Sequence, residues 1–166
     1  MKRKARIVPI VAIIAVSAVG SALAADVPKE GTFDYTSCFS GESKLISFSN
    51  TYSAYSYEMI GTNRSNQPGS IFDKRTFRCV GMNTSFAGRV TANTVCEAVD
   101  SDGYKTLSYY SRGSDGKETR EIVLGTGKFD GMVRSGVKVE PLGPFPIIKA
   151  GTFQNCSRET GTYKLK

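Results

Sequence analysis

From Thr32 onward the chain alternates apolar and polar residues in short runs, and almost nothing repeats at the spacing of a helix. Runs rich in Val, Ile, Thr, Tyr and Phe predict strands over Thr32–Phe39, Lys44–Ser49, Tyr55–Gly61, Phe72–Met82, Val90–Val99, Tyr104–Arg112, Glu118–Leu124, Gly136–Glu140 and Thr152–Ser157, with Thr162–Leu165 as a tail strand. Turn-forming clusters fall between them, at Asn66-Gln67-Pro68-Gly69, Ala87-Gly88, Ser101-Asp102-Gly103 and Ser114-Asp115-Gly116. Pro141, Pro144 and Pro146 mark a stiff crossing segment, because proline cannot donate to a central ladder. Many short strands joined by tight turns predict an all-β fold, an antiparallel barrel or sandwich.

One register follows from arithmetic. A two-residue turn at Ala87-Gly88 sets Cys79 opposite Cys96, Arg78 opposite Glu97, Val80 opposite Val95 and Phe77 opposite Ala98. A disulfide, an ion pair and two apolar pairs then arise together, and such cross-strand pairs stabilise a sheet. Continued through the next two hairpins, the register puts Arg78, Val80, Val95, Glu97, Val99, Thr106, Ser108, Tyr110, Glu121 and Val123 on one face. Phe77, Cys79, Cys96, Ala98, Leu107, Tyr109, Arg120, Ile122 and Leu124 take the other. Neither face is wholly polar, so the second face should also be covered, by a lumen, a plug or a partner subunit.

The stretch Arg120 to Gly136 carries a strand, Glu121–Leu124, into the corner Gly125-Thr126-Gly127-Lys128-Phe129-Asp130-Gly131. Phe129 and Met132 are one helical turn apart, and the expectation is a short plug folding both back over the end of a β-structure. The plainer alternative is an ordinary connection between two strands. A phosphate loop is excluded: G-x-x-x-x-G-K-[ST] would need its first glycine at Ile122 and a hydroxyl at Phe129. A dinucleotide fingerprint would need a glycine at Asp130.

The first 24 residues read differently. Lys2, Arg3, Lys4 and Arg6 precede an apolar run, Ile7 to Val19, and Ala22-Leu23-Ala24 is a small-x-small cleavage site. This is the pattern of a signal peptide over residues 1–24, leaving a single domain over 25–166. Removing the leader lowers the net charge from +7 to +3, since it carries four of the 22 basic residues and none of the 15 acidic ones. That balance does not support a nucleic-acid partner. No cysteine follows the cleavage site for lipid attachment, so the expectation is a periplasmic or secreted protein with no stable membrane insertion after cleavage. Histidine is absent, which removes the commonest general base and metal ligand; no metal or cofactor is implied. The four cysteines lack short C-x-x-C spacings and read as two disulfides, with three possible connectivities. Cys79–Cys96 follows from the hairpin. Cys38–Cys156 follows if early and late strands pair to close a barrel, with the repeated Gly-Thr-Phe at 31–33 and 151–153 marking the two ends of the seam.

The corner, on Gly125, Gly127, Lys128, Phe129 and Gly131, resembles that of the allene oxide cyclase and dirigent-type β-barrels. The mature chain, with Cys79-Val80-Gly81, Cys96-Glu97-Ala98-Val99-Asp100 and Pro141-Leu142-Gly143-Pro144-Phe145-Pro146, resembles a group of uncharacterised exported bacterial proteins. The resemblance implies an eight-stranded antiparallel barrel of the calycin kind, a hydrophobic or phenolic molecule in the lumen, and in some members a trimer. It supplies no catalytic residue. Three functions remain. The first is non-enzymatic binding of a small hydrophobic or aromatic ligand; Arg78, Glu97, Tyr110 and Glu121 would orient it if their face is the lumen, and would be surface charges otherwise. The second is a cyclase or isomerase using Glu97 or Glu121 as acid or base. The third is an envelope or surface interaction module, a homo-oligomer among its forms, with Tyr52, Tyr55, Tyr57 and Met59 at the contact.

Overall fold

A computed structural model describes residues 27–143 and 145–166; the leader read over residues 1–24 lies outside them. Eight antiparallel strands make one sheet: β1 (Glu30–Ser49), β2 (Tyr52–Ser65), β3 (Arg75–Phe86), β4 (Arg89–Val99), β5 (Lys105–Arg112), β6 (Glu118–Gly125), β7 (Val133–Pro141) and β8 (Thr152–Lys164). The strand order is β6-β5-β4-β3-β2-β1-β8-β7. The sheet curls into a nearly closed barrel, in which β6 and β7 approach one another without a hydrogen-bonded ladder.

Ten predicted runs have become eight strands because the gaps left at 40–43 and 158–161, each holding a glycine, lie inside strands. Gly41 sits within β1 and Gly161 within β8. Each faces an aromatic side chain directly across the ladder: Gly41 pairs with Phe153, and Gly161 with Phe33. A Cβ on Gly41 would lie 2.6 Å from the Phe153 ring, and one on Gly161 would lie 2.7 Å from that of Phe33. The same device recurs at Gly61 opposite Phe77 and at Gly81 opposite Tyr57. These glycines make room for rings that lie across the neighbouring strand; they do not turn the chain. The repeated Gly-Thr-Phe thus puts one phenylalanine near the start of each of two paired strands, over a glycine of the other.

The β3–β4 hairpin has the register expected of it, including Cys79 opposite Cys96. Ala87 (φ 53) and Gly88 (φ 79) both take positive φ, as a two-residue hairpin turn with the twist of its strands requires. The next hairpin differs. Asp100 to Tyr104 form a five-residue connection in which the Asp100 carboxylate accepts from the backbone N–H of Asp102 and of Tyr104. Val99 therefore pairs with Lys105, and Thr106, Ser108 and Tyr110 fall on the same face as Cys79 and Cys96. A one-residue slip exchanges the faces of a whole strand, so β5 is inverted relative to expectation. A bulge between Leu107 and Ser108 reverses the slip in β6, which keeps Arg120 and Ile122 beside the cystine.

Two segments stop one end of the barrel. The corner forms a single 3-10 turn, Gly127–Phe129, that inserts Phe129 (fully buried) and Met132. The β2–β3 connection adds Ile71 and Phe72, so Phe72 belongs to the plug and β3 begins only at Arg75. Together with Phe33, Tyr35 and Tyr163 these residues form the core. The Phe33 and Phe72 rings are 5.0 Å apart and those of Phe72 and Tyr163 5.5 Å apart. Burying each such ring contributes about 1.5–3 kcal/mol. Gly125 is required at the corner, because a Cβ there would lie 1.8 Å from the carbonyl oxygen of Phe129. Lys128 then clamps the corner to the β4–β5 connection, with Nζ 2.8 Å from Asp100 and 2.7 Å from Asp102. Burial raises the Asp100 carboxyl, but the hydrogen bonds from Lys128 and the backbone outweigh it and hold the group below its ordinary value.

Both disulfides are present, Cys79–Cys96 and Cys38–Cys156. Cys79 is buried in the barrel wall facing inward. Cys38 and Cys156 lie between the inward-facing Ser37 and Ser157 and the next inward pair, so strand alternation turns their bond outward. That bond joins the first and last strands, as expected, but the open seam lies elsewhere, between β6 and β7. Two such bonds belong to an oxidising environment.

Candidate ligand-binding lumen

Strand alternation fixes which side chains line the interior. The face carrying Phe77, Cys79, Cys96 and Ala98 is the inner one. It surrounds a cavity of about 340 Å³ that extends from the plug past the cystine. Beyond the plug, Phe39, Phe77, Phe153 and Tyr57 form a second aromatic group, with successive ring centroids 6.5 Å (Phe39–Phe77), 6.4 Å (Phe39–Phe153) and 6.0 Å (Tyr57–Phe153) apart. The Tyr57 hydroxyl is hydrogen-bonded to that of the buried Thr94. Burial raises the Tyr57 phenol above its ordinary value.

The polar groups inside are mostly not those expected. Arg78 points outward and is paired with Glu58 at 2.7 Å. Glu97 also points outward, paired with Lys105 at 2.6 Å. Although Arg78 and Glu97 are opposite one another in the ladder, each takes its partner from a different residue. Glu121 is exposed on the outer face opposite Tyr109. Arg78, Glu97 and Glu121 are therefore surface charges, for the alternation that brings Cys79 in carries them out. Of the four, only Tyr110 faces the lumen, where the Arg120 guanidinium stacks on its ring at 4.3 Å.

Arg75, Arg134, Arg120 and Glu159 are the charged groups set among the cavity walls. Arg134 donates to the Tyr35 hydroxyl at 2.9 Å, and Tyr35 donates to Glu159 at 2.7 Å, while Arg134 lies 3.7 Å from the same carboxylate. Burial, with the nearby Glu159 charge, pushes the Tyr35 phenol well above its ordinary value, so it stays a donor. Arg75 is 4 % exposed. Its guanidinium donates to the Thr106 hydroxyl and stacks on the Phe129 ring at 4.5 Å. Burial, and the Arg134 charge after it, lower Arg75 to about 10, which leaves it cationic at neutral pH. The Nε atoms of both Arg75 and Arg134 are buried without a hydrogen-bond partner among the described residues.

The sequence did contain a signal for this set. Arg75 is four residues before Cys79 and shares its parity, so an inward cystine implies an inward Arg75. Glu159 falls in the gap left between two predicted runs of what is one strand. No family model, curated protein or solved structure matches the chain, and the interior is read from its own geometry.

Proposed function

We propose that this protein holds a small hydrophobic or aromatic ligand in the barrel lumen and does not transform it. The observation that carries the reading is the cavity of about 340 Å³, lined in part by the rings of Phe39, Tyr57, Phe77 and Tyr110 and stopped at one end by the plug. Space of this size holds one small molecule, and a few convergent polar groups fix its orientation. The resemblance of the corner to the allene oxide cyclase and dirigent-type barrels supports the same reading. The isomerase alternative drew on Glu97 and Glu121, and both lie outside the barrel. Glu159, the inner carboxylate, is engaged by Tyr35 and Arg134. The leader and the two disulfides favour an exported protein, periplasmic or secreted.

Native mass spectrometry of the oxidised protein, purified without denaturation, should show a retained small mass that is lost on unfolding. An empty protein that also fails to bind a naphthalene derivative, neutral or anionic, by calorimetry would sink the reading. A second reading, an interaction module, is favoured by the exposed Leu45, Ile46, Phe48 and Phe86 on the two long hairpins. A concentration-dependent oligomer that vanishes when Phe48 is replaced by serine would support it.

A further inference from the structure

The lumen is unevenly charged. Arg134 shares Glu159 with Tyr35, and Arg120 lies 3.9 Å from Glu118, which is committed to Arg112 at 2.6 Å. Arg75 has no carboxylate at ion-pair distance among the described residues; its partners are a hydroxyl and the face of a ring. A buried cation without a counter-charge is costly, and a buried N–H without an acceptor adds to that cost. Arg75 and Arg134 carry one such N–H each, on Nε atoms closed off from solvent, and both side chains line the cavity at its plugged end, where the other walls mix aromatic, aliphatic and hydroxyl or amide side chains.

We infer that the ligand is an aromatic carboxylate, bound with its anionic end between Arg75 and Arg134 and its ring toward Phe39 and Phe77. This rests on the lumen-binding reading and adds a chemical class to it. A guanidinium receives a planar carboxylate through parallel N–H donors, and both arginine side chains line the cavity. Tyr35 and Thr106, already bonded to the two arginines, hold the guanidinium groups in place before the ligand arrives. A charge pair inside the barrel wall is stronger than one on the outer surface. Arg75 also has a purely structural use, as a lid stacked on Phe129, and the test separates the two.

The experiment is calorimetric titration of the oxidised protein with naphthoate and with neutral naphthamide, probes of one shape and different charge. Naphthoate should bind at one site per chain, about tenfold or more tighter than naphthamide. Arg75→Met should remove that preference and leave naphthamide unchanged. If it lowers the melting temperature too far, Arg134→Gln serves as the second variant, and it should act in the same direction. Ser108→Phe, which fills the cavity, should abolish both titrations. Equal affinities in the unmodified protein overturn the anion assignment and leave lumen binding standing. Naphthoate affinity that survives both arginine variants overturns it too and makes Arg75 a structural lid. Failure of both probes, or binding that survives Ser108→Phe, overturns the lumen reading itself.

Discussion

The two ends of this barrel use the same residue types to opposite effect. At one end Phe33, Phe72 and Phe129 are each 1 % exposed or less. On the β1–β2 hairpin Phe48 is 91 % exposed, with Ile46 at 75 %. Nothing in the local pattern separates Phe33 and Phe72 from Phe48, since each falls in a run read as a strand. The difference lies in what returns over them. The first group is covered by the corner after β6 and by the β2–β3 connection. The second stands on an overhang: β1 runs to Ser49, but its ladder with β8 ends at Glu42, so the last residues of β1 have no strand beside them on that edge. Burial in a small barrel is decided by strand length and loop path more than by hydropathy.

Substitutions at the two ends should therefore diverge. Phe129→Ala should have the largest effect, a loss of about 3–5 kcal/mol in chemical denaturation, because the plug cannot collapse onto the space. Removing the wall cystine by Cys79→Ala with Cys96→Ala should cost about 3 kcal/mol, seen as a lower melting temperature under oxidising conditions only. If the oxidised double variant melts with the unmodified protein, the hairpin is held by its register alone. On the outer surface near the plug, Arg158 and Asn66 draw the Asp34 carboxyl down from its ordinary 3.8 to about 2. A lowered carboxylate contributes stability that is present above its unfolded value and is lost as pH falls through its folded value. Asp34→Asn should therefore destabilise by no more than about 1 kcal/mol at neutral pH, and the gap should close as melts are taken from pH 4 to 2. Phe48→Ser, at the exposed tip, should change stability by less than about 0.5 kcal/mol. A loss comparable with that of Phe129→Ala would mean that the overhang is covered in solution, and would end the comparison.

How far the sequence could be read follows the same physics. The β3–β4 register was legible because a cysteine pair, a charge pair and a two-residue turn agreed on it. The face of β5 was not, because Asp100 organises a five-residue connection where a shorter turn was the natural guess, and alternation turns one residue of error into a complete inversion. The joined strands were not legible either: Gly41 and Gly161 fall in the gaps between predicted runs, and their value is the space they leave for a ring. The disulfides were found, yet the charged interior was not, since Arg78 and Glu97 drew attention to a face that proved to be the surface. Arg75 was within reach from the parity of Cys79. Arg134 was not, for its direction depends on a corner and a register shift in β7 that no periodicity announces.

The pairing of β1 with β8 has a consequence in time. The first strand to leave the ribosome has one edge that finds its partner last, and Cys38 is 118 residues ahead of Cys156. Within that interval Cys79 and Cys96, 17 residues apart, have both emerged. An oxidant that joined thiols in order of appearance would tie Cys38 to Cys79 and leave the barrel unable to form. Peptide mapping of chains trapped before the last strand should find a Cys38–Cys79 bond in part of the population; Cys79–Cys96 alone, with Cys38 free throughout, would contradict this. Because the bonds are nested, an early Cys38–Cys79 bond would have to be undone before the barrel could close.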